Sequence, residues 1–195
     1  VGELNGVVYS HGHADHVHGL DDLRMIVFNM RERLNVYADG ATQNDLLNRF
    51  GYAFVQPAGS AYPPILNLCS IDGDIEIDGP GGLIRLTPFE VEHGNIDSLG
   101  FRIGDLAYLP DASDIPEATW PALANLDYWI VDALRRMPHP SHAHLDKTLG
   151  WIERAAPRRA LLTNMHIDLD YQTVADETPD HIIPAHDGLV IRYEV

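Results

Sequence analysis

The chain has 195 residues, of which 45% are hydrophobic and 22% charged, a composition typical of folded globular proteins and not of disordered ones. Its formal net charge of -16 at pH 7 argues against a long nucleic acid as partner, because phosphate backbones are bound mainly by Lys and Arg. The single cysteine, Cys69, cannot form an internal disulfide, and neither a membrane-spanning run nor a signal peptide is recognisable. We therefore expect a cytoplasmic protein without a membrane partner.

In the first third of the chain, strands and helices are predicted in alternation. A strand over residues 4–10 leads into a histidine-rich turn, and apolar residues at helical spacing predict a helix over residues 15–33. A short strand is expected over residues 35–38 and a helix over residues 42–50. Residues 51–67 contain many turn residues and no hydrophobic period, so they predict a long loop of the kind that often covers a site.

The remainder of the chain consists mostly of short strand patterns separated by Gly and Pro. One helix is expected there, over residues 147–155, with Leu149 and Ile152 facing inward. The predicted strands are consecutive antiparallel ones over residues 74–78, 83–87, 89–93 and 99–103, buried ones over 106–109 and 128–131, and closing ones over 160–163 and 190–193. The pattern predicts a layered α/β or α+β fold in a single domain over residues 1–195.

The turn that follows the first predicted strand reads SHGHADHVHG. It places His11, His13, Asp15 and His16 close together, and five such groups with His18 would be costly to desolvate without a partner. Imidazole nitrogen and carboxylate oxygen are suitable ligands for Zn, Mn, Fe or Ni. A solvent-exposed histidine cluster or a purification tag is the alternative, which the preceding strand and the following amphipathic helix disfavour.

Further candidate ligands stand where predicted strands end. His93 ends one strand, Asp111 ends another, and His166 follows the strand ALLT by three residues. Each alone has a structural alternative, and Asp111 could cap a helix that begins near Ile115. His186 stands near the last predicted strand; a structural role is favoured for it, and a place in the lining of the pocket is the alternative.

This order of residues, an HxHxDH turn followed by a strand-end His, a strand-end Asp and a late His, resembles the metallo-β-lactamase superfamily over nearly the whole chain. The segments HGHADHVHGLDDLR, SLGFRIGDLAYLPDAS, HLDKTLGWIERAAPRRALLT and DLDY resemble the branch of phosphoribosyl 1,2-cyclic phosphate phosphodiesterase, which is related more distantly to tRNase Z. The resemblance implies an α+β fold, the four-layer αββα sandwich. It also implies two divalent metal ions, Mn or Zn. The implied ligands are His11, His13 and His93 for one ion, Asp15, His16 and a late His for the second, and Asp111 as the bridge.

The same resemblance implies two catalytic residues. His142 lies in a motif of the form HxxL and would protonate the leaving oxygen, although its neighbours His139 and His144 compete for that role and a surface position is the alternative. Asp15 would act both as a ligand and to orient a hydroxide that bridges the two ions, which is the expected nucleophile.

The chain departs from the family pattern at three places. Where the family has its late ligand, this chain has Asn164; we favour His166 as the ligand, because residues 164 and 166 share a face on an extended chain and an amide oxygen is the poorer donor. The structural zinc of some relatives is not expected, since Ile167 replaces its histidine and only Cys69 is available. Ten residues precede the HxHxDH turn, where the family has several strands, so we expect that the first β-layer strands are missing here and that the natural chain is longer.

The expected function is hydrolysis of a small phosphodiester, cyclic ribose or nucleotide-like, with no long nucleic acid as substrate. The alternatives are a lactone or thioester hydrolase of the same fold and a non-catalytic metal-binding relative, for which Asn164 is the best argument. A homodimer is a further expectation, because open sheet edges invite pairing.

Overall fold

Residues 2–193 are described by the computed structural model of the chain, in which ten strands alternate with five α-helices. The chain divides into two units, Val1–Arg85 and Leu86–Val195. Within the described residues, no helix combines the length and the apolar character needed to cross a bilayer. The prediction of a single domain over residues 1–195 stays a prediction.

The first unit contains four strands and three α-helices among its described residues. In chain order these are β1 Val7–Val8, α1 Ala14–Val17, α2 Leu23–Met30, β2 Leu34–Ala38, α3 Gly40–Phe54, β3 Leu66–Ser70 and β4 Ile75–Ile77, with a 3-10 helix over His18–Asp22. Strands β1, β2 and β3 form a parallel sheet in that order. Parallel neighbours require a crossover, and the helices between these strands provide it.

The helices of the first unit pack apolar side chains onto this sheet. Leu20, Leu46 and Leu66 are each at most 1% exposed, and with Val36 they form the centre of the core. Helix α3 begins at a capped end, where the side chain of Asp39 accepts a 2.8 Å hydrogen bond from the Thr42 amide. The parallel sheet and its helices fix the position of the turn that follows β1.

The structure corrects several predicted boundaries in the first unit. The strand predicted over residues 4–10 is reduced to β1, and the helix predicted over 15–33 is three short helical pieces that end at Arg31, which has a left-handed φ of 60°. The strand at 35–38 is confirmed as β2, and the helix at 42–50 is the longer α3. The loop predicted over 51–67 is shorter, because α3 extends into it and β3 begins at Leu66.

The second unit is built on a longer sheet. Its elements are β5 Ile84–His93, which starts at the end of the first unit, then β6 Ile96–Ile103, β7 Leu106–Leu109, β8 Tyr128–Asp132, α4 Leu145–Ala155, β9 Arg159–Thr163, α5 Tyr171–Glu177 and β10 Ile182–Pro184, with a 3-10 helix over Glu117–Leu123. Here the strands lie in the order β10-β9-β8-β7-β6-β5. Strands β5, β6 and β7 pair antiparallel, whereas β7, β8, β9 and β10 are parallel. The carboxyl ends of β7, β8, β9 and β10 therefore meet at one edge of the sheet.

The core of the second unit is dense around Trp129, whose side chain is fully buried together with Leu109 and Leu162. On the antiparallel side, Phe89 stands opposite Gly100, and a Cβ at Gly100 would collide with the Phe89 ring. The glycine is required there because the ring occupies the space of a side chain.

Predictions for the second unit are correct for most strands and wrong near the carboxyl end. The two strands predicted over 83–87 and 89–93 are one continuous strand, β5, which contains Pro88. Residues 190–193, predicted as the closing strand, are irregular, and the last strand is β10 instead. Helix α5 was not predicted.

Candidate functional site

In the first unit, the HxHxDH turn leaves β1 and folds directly into α1. The carbonyl of His13 accepts hydrogen bonds of 3.1 Å from the amides of both His16 and Val17, so the chain turns back at this point. As a result, the ring centroids of His11 and His16 lie 4.3 Å apart although five positions separate them in the sequence motif. The alternation in the motif therefore produces a compact group of imidazoles.

The side chains of this turn contact one another closely. His11 is 2% exposed; its Nδ1 lies 3.0 Å from Ser10 Oγ and its Nε2 lies 3.1 Å from His13 Nδ1. Asp15 is exposed, and its Oδ2 lies 3.4 Å from His16 Nε2. Both pairs, His11 with His13 and Asp15 with His16, offer ligand atoms within 4.8 Å of each other, as donors to one cation must.

Helix α3 contacts this turn and fixes its position. Arg49 donates a 2.6 Å hydrogen bond from Nη1 to the carbonyl of Gly12, and its Nη2 lies 3.5 Å from Asp45 Oδ2. A Cβ at Gly12 would collide with the Asp45 side chain. The glycine is therefore needed for the close approach of helix and turn.

In the second unit, His93 and Asp111 form a buried pair. His93 ends β5, Asp111 follows β7, and their Nε2 and Oδ2 atoms lie 3.4 Å apart with both side chains at most 3% exposed. The Nδ1 of His93 lies 2.5 Å from the carbonyl of Ser141, and because a carbonyl only accepts, Nδ1 carries the proton. In a neutral ring, Nε2 then presents a lone pair to a carboxylate. Two electron-pair donors at this distance fit a shared cation, and imidazole and carboxylate are donors that Zn and Mn take.

Asp132 ends β8 next to this pair and is fully buried. Its Oδ2 accepts hydrogen bonds from the Ala112 amide at 3.2 Å and from His142 Nδ1 at 3.0 Å. Burial raises the pKa of the Asp132 carboxyl above its usual range, and the hydrogen bond from His142 opposes this shift. The contact assigns the Nδ1 proton of His142 to Asp132, so the opposite ring nitrogen, Nε2, points away from Asp132.

Asn164 joins the cluster from the end of β9. Its Nδ2 lies 3.3 Å from Asp111 Oδ1, 3.2 Å from Asp132 Oδ1 and 3.4 Å from His142 Nδ1. The backbone of Asn164 has a left-handed φ of 59°, which Asn tolerates better than most residues. One amide group thus contacts two carboxylates that would otherwise repel each other.

His166 stands apart from these side chains. Its ring is 59% exposed and its Nδ1 lies 3.3 Å from Asp168 Oδ1. The reason is the turn at Asn164: residues 164 and 166 would share a face only on an extended chain, and the left-handed residue ends the extension. The side chain that the fold brings to the cluster of the second unit is Asn164.

The other histidines near His142 are placed differently. The His139 ring centroid lies 5.2 Å from that of His142, and burial, together with the nearby Arg135 and His142, lowers the pKa of His139. His144 is the residue that precedes α4, and it makes no side-chain cap. Among these three histidines, His142 has the buried carboxylate as partner.

Sequence reasoning missed Asp132, and it kept Asn164 only as the alternative to His166. Asp132 could have been found from the sequence, because it comes directly after the apolar residues of a predicted strand, but that strand was predicted to stop at Val131. For Asn164 no signal existed beyond its place in the family motif, since the left-handed turn is not visible in the sequence.

Comparison with known proteins gives three kinds of similarity. The chain matches the family model described as the beta-lactamase superfamily domain over residues 1–167. A crystal structure described as a new diphosphatase from the PhnP family is 33% identical, with a TM-score of 0.88, and the match covers 100% of this chain and 74% of that chain. These matches confirm the predicted α+β class and the metallo-β-lactamase fold.

Two further relatives extend the comparison. An octanoyltransferase from Porphyromonas gingivalis (strain ATCC BAA-308 / W83) is 31% identical over 193 residues, which are 97% of this chain but 38% of that protein. The chain thus spans less than half the length of this curated relative. Zn(2+)-bound PqqB from Methylobacterium extorquens is 17% identical, with a TM-score of 0.73 over 97% of this chain and 73% of that chain, and it shows the shared fold alone.

Proposed function

We propose that this chain, which belongs to the family of the beta-lactamase superfamily domain, is a metal-dependent hydrolase that cleaves a small phosphodiester. The observation that carries the proposal is the cluster of the second unit, in which a buried His and Asp pair stands beside an imidazole that is held by a second buried carboxylate. The first pair supplies candidate cation ligands and the second supplies a candidate proton donor. A metal-dependent phosphodiesterase with an alkoxide leaving group can use both.

The residues that would hold two divalent cations, Mn or Zn, are those whose donor atoms suit such ions. They are His11, His13, Asp15 and His16 in the first unit, and His93 and Asp111 in the second. When bound, two such cations supply Lewis-acid stabilisation of phosphoryl oxygens and a water nucleophile at neutral pH. Local positive charge of this kind would allow a chain with a net charge of -16 to act on an anion.

His142 would supply the proton for the leaving group. Its Nδ1 is committed to Asp132, so Nε2 is the atom that would hold the proton and pass it to the departing oxygen as the phosphorus–oxygen bond breaks. Asp132 keeps the ring in one orientation and favours its protonated form. Asp15 is proposed as a ligand and as the group that orients the attacking water.

Asn164 is proposed to complete the second cation position in place of His166. Asn164 Nδ2 donates hydrogen bonds to Asp111 and Asp132, which hold the side chain beside a candidate ligand, and Oδ1 is the atom that would bind the cation. The exposed ring of His166 does not support the ligand role expected from the sequence. An amide is a weaker donor than imidazole, so we expect the second cation to bind less tightly than the first.

A phosphoanhydride is the second candidate substrate, since the 33% identical relative is described as a diphosphatase. Both candidates require attack at phosphorus, but an alkoxide that leaves from a diester needs a proton, whereas a phosphate that leaves from a phosphoanhydride does not. Acyl chemistry is the third possibility, and the lactone and thioester alternatives belong here. The octanoyltransferase relative gives it limited support, because this chain matches only 38% of that protein.

The test compares substrates on protein that has been stripped of metal and reloaded with Mn²⁺ or Zn²⁺. Metal content and calorimetric titration establish how many ions bind. Hydrolysis is then measured for a ribose cyclic phosphate, a sugar–nucleoside diphosphate, a lactone and an octanoyl thioester. Metal-dependent cleavage of the cyclic phosphate supports the proposal; cleavage of the thioester or lactone alone, or no cleavage with both ions bound, overturns it.

A further inference from the structure

A cavity of about 370 Å³ lies beside the cluster of the second unit. It is lined by Thr163, Asn164 and Met165 after β9, and by Ala185, His186 and Asp187 after β10. The two strands are parallel neighbours, and the amide of Ala185 donates a 2.8 Å hydrogen bond to the carbonyl of Leu162, which closes the floor. The cavity therefore opens at the carboxyl edge of parallel strands, where layered folds bind ligands.

Asn164 connects this cavity to the candidate chemistry. It lines the cavity and at the same time contacts Asp111, Asp132 and His142. A ligand in the cavity would thus lie next to the residue that organises the buried carboxylates. By contrast, the cavity of about 410 Å³ lined by Leu149, Ile152 and other residues includes none of the candidate catalytic residues.

The lining is suited to hydroxyl groups. The Nδ1 of His186 lies 3.0 Å from the carbonyl of Asp187 and must carry the proton, so in the neutral ring Nε2 is an acceptor. Asp187 adds a carboxylate and Thr163 a hydroxyl. A carboxylate in the wall disfavours a phosphate and favours O–H donors. The volume lies near the lower end of the range for ligand sites, which suits a single sugar.

An aromatic contact orients the imidazole ring of His186. The ring of His186 stands edge to face with the ring of Tyr171, the first residue of α5, with centroids 5.8 Å apart. Helix α5 thus supports the His186 imidazole, whose direction would otherwise be set only by the exposed turn after β10.

We propose that this cavity binds the sugar end of the phosphodiester and that His186 and Asp187 determine specificity for it. This inference rests on the proposed function, since it assigns the part of the substrate that does not react. It takes up the alternative that the sequence left open for His186, a place in the lining of the pocket. No step of the bond cleavage passes through His186 or Asp187.

The test is a comparison of two substrates and one ligand. His186→Ala is measured on a ribose cyclic phosphate and on bis(p-nitrophenyl) phosphate, which has no sugar. We expect kcat/KM for the cyclic phosphate, divided by kcat/KM for bis(p-nitrophenyl) phosphate, to fall roughly three- to tenfold. Most of this change should come from a higher KM for the cyclic phosphate, and its size corresponds to the loss of one hydrogen bond. His186→Gln, which keeps an acceptor, should recover part of the ratio, and His181→Ala, an exposed histidine outside the cavity, should leave it unchanged.

A binding measurement separates this inference from the proposed function. Saturation-transfer NMR with methyl ribofuranoside and metal-free protein should show contact that is lost in His186→Ala and Asp187→Ala, with thermal unfolding as a check that both variants fold. Ribose binding without hydrolysis of any diester would overturn the proposed function and keep the sugar site. An unchanged substrate ratio with unchanged ribose contact would overturn the sugar site and leave the hydrolase intact.

Discussion

His142 donates its Nδ1 proton to Asp132 across 3.0 Å, and the acceptor carboxylate is fully buried at the end of β8. This relationship fixes both the tautomer and the direction of the imidazole. It also distinguishes His142 from His139 and His144, for which the described residues 86–193 offer no buried carboxylate partner.

Removal of His142 should be costly only where the leaving oxygen needs a proton. For His142→Ala we expect kcat on a ribose cyclic phosphate to fall by about 10²- to 10⁴-fold, the usual contribution of a general acid. The loss on bis(p-nitrophenyl) phosphate should be far smaller, because p-nitrophenolate leaves without protonation. His144→Ala is the matched control from the same motif. Equal losses on both substrates would mean that His142 does not donate the proton.

Asp132 should act through His142 and not independently of it. In Asp132→Asn the ring loses its anionic acceptor, so kcat should fall about ten- to a hundredfold with little change in KM. The double variant with His142→Ala should be no slower than His142→Ala alone, because the two residues work as a unit. Additive losses in this cycle, measured by steady-state kinetics, would assign Asp132 a separate role.

Asn164 and His166 should differ in their effect on divalent cation binding. Asn164→Ala removes the amide between Asp111 and Asp132 and should weaken binding of the less tightly held Mn²⁺ or Zn²⁺ ion by about tenfold or more. His166→Ala removes an exposed ring and should not change it. Calorimetric titration of metal-free protein gives both values. A larger loss of cation affinity in His166→Ala than in Asn164→Ala would favour His166 as the ligand.

Gly12 should be indispensable for the position of the histidine turn. In Gly12→Ala the new methyl group displaces Asp45, and we expect a loss of about 1 to 2 kcal/mol in the free energy of unfolding together with weaker cation binding. Gly19→Ala is the control, since its Cβ meets open space. Adding Asp45→Ala to Gly12→Ala should restore stability. A double variant as unstable as Gly12→Ala would mean that the loss comes from the backbone conformation at residue 12 and not from a collision with the Asp45 side chain.

Tyr9 should make the protein less stable at alkaline pH. Burial raises the pKa of Tyr9 to about 12. A group whose pKa is raised in the folded state stabilises fully below its unfolded value near 10, and this contribution is lost as the pH rises from about 10 to about 12. The wild type should therefore lose about 2 kcal/mol more than Tyr9→Phe over that interval, as measured by urea unfolding. Parallel curves for the two proteins would contradict this.

The sequence was informative where residues that can bind a metal stand next to a recognisable strand pattern. His93 and Asp111 were named as candidate ligands because each stands at the end of a predicted strand, and the HxHxDH turn because a strand precedes it. Local patterns failed where the backbone changes direction without a distinctive residue. Arg31 and Asn164 both adopt a left-handed conformation, and neither the end of the helical segment nor the displacement of His166 could be read from residue types. Strand β10 has three residues, one of them Pro184, too few for a period.

The hydrogen bond from His93 to the carbonyl of Ser141 has a consequence for how this protein can change over evolutionary time. The segment that carries His142 also sets the tautomer of His93, and a Cβ at the neighbouring Gly94 would press against Ser141. An insertion or deletion there would disturb a candidate ligand and the candidate acid together. The turn after β10 carries neither, so substitutions at His186 and Asp187 would leave this candidate ligand and the candidate acid in place.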